Sequence, residues 1–131
     1  MKSPVKTSLL IAGGINILFT AFHIAFYYLF NWKETLSCLG HSNWAIFQTF
    51  YLGSILMVAM MAYLSLRFPN DLYRTVFGKS LSVAFCLFYF IRIMSEFLLF
   101  GYRGIPSMII IVLCAIPAAI YFWAAASRVT K

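Results

Sequence analysis

Residues 80–101 read SLSVAFCLFYFIRIMSEFLLFG, an apolar stretch broken only by Arg92 and, one helical turn later, Glu96. About 20 predominantly apolar residues cross the roughly 30 Å hydrocarbon core of a bilayer as a helix, and this stretch has that length. A charged side chain at the centre of such a helix costs roughly 2.5–3.5 kcal/mol on insertion scales. Two charges kept in one span therefore require a reason: a site that uses them, or a pairing that neutralises them.

Outward from this stretch, residues 8–30, 43–66 and 105–126 are also long and apolar enough to span, and none of them contains Asp, Glu, Lys or Arg. Hydrophobic residues make up 63% of the chain and charged residues 10%, against about 45–50% and 25% in soluble domains. Lipid is the expected solvent for most of this surface. The sequence predicts an all-α fold with one domain over residues 1–131. It is an integral membrane four-helix bundle running up-down-up-down.

The net charge of +7 is distributed as a topology signal. With four spans, the N-terminus, the 67–79 loop and the C-terminus share one face and carry Lys2, Lys6, Arg67, Arg74, Lys79, Arg128 and Lys131. The other face has only Lys33 and Arg103. Seven cations against two place both termini in the cytoplasm by the positive-inside rule. The same charge gives some attraction for anionic lipid, so the bilayer is the expected partner and nucleic acid is not. The first apolar run exceeds the 7–15 residues of a signal-peptide core and lacks a clean small-x-small cleavage site, so it is read as a retained span. Compact size and the lack of sorting signals point to a bacterial inner membrane.

The punctuation between spans agrees with this layout. Trp32 and Trp44 bracket the first loop and mark the outer headgroup level. Ser42 or Asn43 is the expected cap of the second helix. Pro-Asn-Asp at 69–71 signals a turn in the inner loop, and Pro106 suits the first turn of the fourth helix. Pro117 falls in the middle of that helix, where it removes a backbone hydrogen bond and predicts a kink. Close helix contacts are expected at Gly13, Gly14, Gly53, Ser54, Ala115, Ala118 and Ala119, since small residues let membrane helices approach. No Gly-x3-Gly lies within a span, and the oligomeric state, including a homo-oligomer or a membrane-complex partner, stays open. Three cysteines give no even framework: Cys86 and Cys114 fall in spans, and Cys38, in the outer loop, is expected as a free thiol.

Polar side chains form two seams. Asn16, Thr20, His23 and Tyr27 follow steps of 4, 3 and 4 along one stripe of the first helix. Ser82, Tyr89, Arg92 and Glu96 share one side of the third. Past mid-span, His23, Arg92 and Glu96 lie roughly 6, 3 and 9 Å toward the outer face at 1.5 Å per residue, and Gln48 falls about 10 Å toward it from the second helix. The sequence thus predicts an outward-opening polar pocket of His23, Gln48, Arg92, Glu96, Tyr27 and Tyr89, with Cys38 and His41 in the loop above it.

That pocket suits binding or passage of a small polar or anionic ligand or a lipid headgroup. Arg92 is the anion contact, through bidentate hydrogen bonding to carboxylate or phosphate. Glu96 is its counter-ion and proton partner, His23 a pH-sensitive hydrogen-bonding group and Gln48 an orienting amide. An alternative is a small membrane enzyme using His23 and Glu96 as an acid–base pair. Another is an accessory subunit of a membrane complex. The plainest alternative is a structural Arg92–Glu96 pair, although Arg before Glu is the less favourable helical order. No cofactor or metal is expected. A bis-histidine haem needs two facing imidazoles and only His23 lies in a span, and Cys38-x2-His41 is a weak metal signal. No nucleophile elbow or phosphate-cradling glycine loop occurs.

Overall fold

The structure, a computed structural model, describes residues 3–127. Its helices are α1 (Pro4–Leu29), α2 (Trp32–Thr35), α3 (His41–Arg67), α4 (Pro69–Arg74), α5 (Val76–Leu98) and α6 (Ile105–Ala126). No strand occurs among the described residues. The four long helices are each long and apolar enough to cross a membrane. Leu18, Phe50, Leu56, Ile91 and Phe122 are among many large apolar side chains on the outside of the bundle. Apolar surface that finds no partner inside the protein belongs in lipid, and the protein is an all-α, multi-pass integral membrane protein.

Two antiparallel hairpins build the bundle. α1 packs along α3, α5 packs along α6, and the hairpins join where α1 meets α6. α3 and α5, which would close the square, make at most a glancing contact. Below, "distal" means the end of the bundle remote from residues 3 and 127, and "proximal" the end near them.

The α1–α3 contact depends on Gly13. A Cβ there would fall 2.7 Å from Leu66 Cγ and 3.3 Å from Ser65 Cβ. The other expected glycine contacts are corrected: Gly14 and Gly53 face open space, with no atom within 4 Å of an added Cβ. Ala118 packs against the core, whereas Ala115 and Ala119 are exposed. Composition names small residues but not the side of the helix on which a neighbour lies.

The proximal loop is more structured than its turn signal suggests. Pro69 opens the short helix α4, whose Pro69, Leu72 and Tyr73 side chains are buried beneath the bundle. Arg74 Nε donates to the Tyr73 hydroxyl at 3.1 Å. Hydrogen bonding with Ser3, and secondarily with Arg74, holds the Tyr73 phenol below its ordinary range despite the opposing effect of burial. α5 then starts at Val76, earlier than residue 80, because Thr75 caps it: the Thr75 hydroxyl accepts the Gly78 N–H at 2.9 Å. Gly78 itself touches the backbone of α4. A Cβ on it would collide with the Asp71 carbonyl oxygen and lie 2.7 Å from Leu72 Cα.

The distal end shows smaller departures. α3 begins at His41 with Gly40 as its N-cap and no side-chain cap bond. The expected cap at Ser42 or Asn43 is therefore incorrect; both residues lie inside the first turn, where Trp44 N–H already bonds the Gly40 carbonyl at 3.0 Å. α5 ends at Leu98, short of Gly101, as the Leu99 and Phe100 N–H groups both turn back to the Ser95 carbonyl at 2.9 and 3.1 Å. Gly101 (φ 60°) and Gly104 (φ 73°) then take left-handed backbone that admits the tight turn. Pro106 occupies the first turn of α6, and that helix runs unbroken through the fully buried Pro117. Trp32 packs on α3, its ring centroid 4.9 Å from those of Phe47 and Tyr51. All three cysteines are free.

Candidate functional site

The deepest polar cluster takes one residue from each long helix. Asn16 of α1, Ser65 of α3, Tyr89 of α5 and Tyr121 of α6 are all buried. Asn16 Nδ2 donates to the Tyr121 hydroxyl at 2.6 Å, and the Tyr89 hydroxyl donates to Asn16 Oδ1. The Tyr121 and Ser65 hydroxyls lie 2.7 Å apart. Since the Tyr121 oxygen already accepts from Asn16, its own hydrogen is left for Ser65. Tyr121 also packs edge-on to Phe85 at 5.2 Å between ring centroids. Sequence reasoning placed Asn16 and Tyr89 on polar seams but missed Tyr121 and Ser65. The signal was a buried amide in mid-span, which has to find partners on other helices.

This cluster fixes the register of the helices. His23 and Glu96 lie seven residues beyond Asn16 and Tyr89 on the parallel helices α1 and α5, and Cys114 lies seven before Tyr121 on antiparallel α6. Seven residues rise about 10 Å, so the three share one level on the distal side of the cluster. Arg92 and Glu96 form an ion pair there, with Arg92 Nη2 2.6 Å from Glu96 Oε1. Glu96 is 4% exposed and Arg92 35% exposed. The guanidinium carbon sits 5.0 Å from the Phe100 ring centroid, so the side chain is drawn toward the distal end in a cation–π contact.

His23 Nδ1 lies 2.7 Å from the Phe19 carbonyl oxygen. A carbonyl only accepts, so Nδ1 carries a proton, and in the neutral ring Nε2 keeps the lone pair. No hydrogen bond joins His23 to Glu96 or Gln48 among the described residues. Tyr51 of α3 donates to the His23 carbonyl at 2.8 Å, which ties the backbone of α1 to α3 at this level. Tyr27 is half-buried one turn further on, its ring edge-on to Tyr28. Gln48 shares the Leu66 face of α3, five turns away, and Leu66 packs at Gly13 of α1. By helical phase, Gln48 thus falls on the side of α3 that carries Leu66.

Among the described residues, two buried side-chain atoms have no hydrogen-bond partner: Arg92 Nη1 and Gln48 Nε2. Both are N–H donors. A shallow groove of about 310 Å³ lies on the outer face of α5 between Phe90 and Leu99. Another, of about 210 Å³, lies at the proximal end, where Leu64 and Phe68 meet Leu72, Phe77 and Leu81. Neither includes His23, Gln48, Arg92, Glu96, Tyr27 or Tyr89. Among the described residues, no group of three or more His, Cys, Asp or Glu side chains is placed to hold a metal ion. Comparison with known proteins finds no matching family model, no matching curated protein and no matching solved structure.

Proposed function

We propose that this single-domain membrane protein binds or passes a small anionic group in the distal half of its bundle, with Arg92 as the anion contact. The observation that carries the reading is the guanidinium itself. Nη2 is held by Glu96, while buried Nη1 has no acceptor. A buried donor without a partner costs about 1–3 kcal/mol, more when charged, and a carboxylate or phosphate oxygen relieves that cost. Glu96 holds the guanidinium in place and serves as counter-ion. His23, at the level of Glu96, supplies a hydrogen-bonding imidazole. Gln48 offers a second free N–H from the side of α3 that carries Leu66, and Tyr27 stands above His23. Tyr89 acts indirectly, by fixing the register of α5 against Asn16.

The orientation follows the charges. Lys6, Arg67, Arg74 and Lys79 belong to the proximal end, and Lys33 and Arg103 to the distal end; Lys2, Arg128 and Lys131 lie outside the described residues. This supports cytoplasmic termini and a site facing outward from a bacterial inner membrane. A second reading, acid–base catalysis by His23 and Glu96, is favoured by one observation: the Nδ1 bond to Phe19 leaves Nε2 as the basic nitrogen on the level of the carboxylate.

Native mass spectrometry of gently purified protein tests the leading reading. Wild type should retain an anionic mass. Arg92→Met/Glu96→Leu should lose it while keeping its melting temperature, and a double variant that keeps the mass overturns the proposal.

A further inference from the structure

Arg92 sits on the side of α5 that overlooks the unclosed seam. Leu81, Phe88 and Arg92 follow steps of 7 and 4 along one stripe of that helix. The proximal end of the stripe is located by contacts: Leu81 lines the 210 Å³ groove together with Leu64 and Phe68 from the far side of the seam. The groove is otherwise lined by Leu72, Phe77 and Gly78, and by the polar Asp71 and Thr75. α3 and α5 make at most a glancing contact, so helix packing does not close this side of the bundle, which carries a guanidinium near mid-span and an apolar groove at the proximal end.

We infer that the site takes a single-chain anionic amphiphile, a fatty-acid-like carboxylate, which enters sideways from the lipid between α3 and α5. This rests on the anion-binding reading above and names its ligand class. The head lies on Arg92 Nη1 and the hydrocarbon chain follows the seam to the Leu64–Phe68–Leu81 groove. Eleven residues separate Leu81 from Arg92, a rise of about 16 Å. That is about half of the 30 Å hydrocarbon core, a span one acyl chain covers with its head near mid-membrane and its end toward the proximal surface. The groove has the volume of about seven liquid waters, room for one chain end. Charge decides the head. Glu96 already occupies Nη2 and repels a dianion, so a single carboxylate with one acceptor for Nη1 is the better match.

The test uses full-length protein in nanodiscs of zwitterionic phosphatidylcholine with two probes. Spin-labelled stearate is read by its immobilised fraction in electron paramagnetic resonance, and butyrate by saturation-transfer NMR. Wild type should immobilise stearate. Arg92→Gln should weaken stearate about tenfold, the loss of one charge-assisted hydrogen bond, and should weaken butyrate as well. Leu81→Trp, which fills the groove, should weaken stearate by a similar factor and leave butyrate unchanged, and Ile109→Trp on the exposed face of α6 should change neither. The double variant Arg92→Met/Glu96→Leu, folded by its melting curve, should behave as Arg92→Gln. Stearate that is not immobilised, or that is indifferent to Leu81→Trp while butyrate still depends on Arg92, overturns the lateral path and leaves the anion site standing. If neither probe responds to Arg92→Gln, the anion site falls and the amphiphile inference with it.

Discussion

Tyr121 on α6 accepts the amide N–H of Asn16 on α1 at 2.6 Å across 105 positions of sequence, in the fully buried centre of the bundle. Among the described residues, the hydrogen bonds that join one hairpin to the other all run through Asn16, Ser65, Tyr89 and Tyr121.

Tyr121→Phe keeps the ring and removes the oxygen that two partners share. It is expected to lower stability by about 1–2 kcal/mol, since interhelical bonds in membranes average about 0.6 kcal/mol and reach about 1.7. Tyr102→Phe, at an exposed turn residue, is expected to change nothing. Melting in detergent, read side by side, decides between them; equal melting temperatures would remove the cluster's structural role.

Gly78→Ala drives a methyl group into the Asp71 carbonyl and should destabilise by about 1–3 kcal/mol or more, as overpacking does. Gly53→Ala and Gly14→Ala, which meet open space, should be neutral or slightly stabilising through helix propensity. The check is the yield of folded monomer and the denaturation midpoint for the three variants.

Arg92→Met leaves Glu96 buried without its partner, whereas Arg92→Met/Glu96→Leu removes both charges. The single variant should be less stable than the double by about 1–3 kcal/mol, the modest size reflecting the partial exposure of Arg92. A thermal series on both proteins measures the gap, and a double variant less stable than the single would contradict it.

A membrane-impermeant maleimide applied to intact cells should label Cys38, which is exposed on the distal side. Cys114 is buried and Cys86 is half-buried in a span, so both should stay unlabelled. Labelling of Cys38 only after the cytoplasm is opened would invert the orientation.

The fold was legible because lipid imposes a coarse rule: long uncharged runs become spans, and the runs around Phe19, Val58, Phe85 and Val112 could become little else. Helix ends were less legible. Thr75 and Gly40 set the starts of α5 and α3 through local backbone geometry, which hydropathy does not register. The Arg92–Glu96 pair could be read from i,i+4 spacing alone. The partners of Asn16 could not, because meeting Ser65 and Tyr121 depends on how far each helix slides and turns against the next. Depth arithmetic gives a level for Gln48 but not a side, which depends on how α3 turns against its neighbours.

The placement of the Asn16–Tyr121 cluster has a mechanical consequence. Lys79 of α5 holds the Ser127 carbonyl at the proximal end, and α4 touches all four long helices there. On the distal side, where His23, Glu96 and Cys114 share a level, no hydrogen bond crosses from one hairpin to the other among the described residues. The ties between the hairpins, α4 at the proximal end and the Asn16–Tyr121 cluster in mid-bundle, thus leave the distal half joined by packing alone, and splaying there is expected to break fewer hydrogen bonds than splaying at the proximal end.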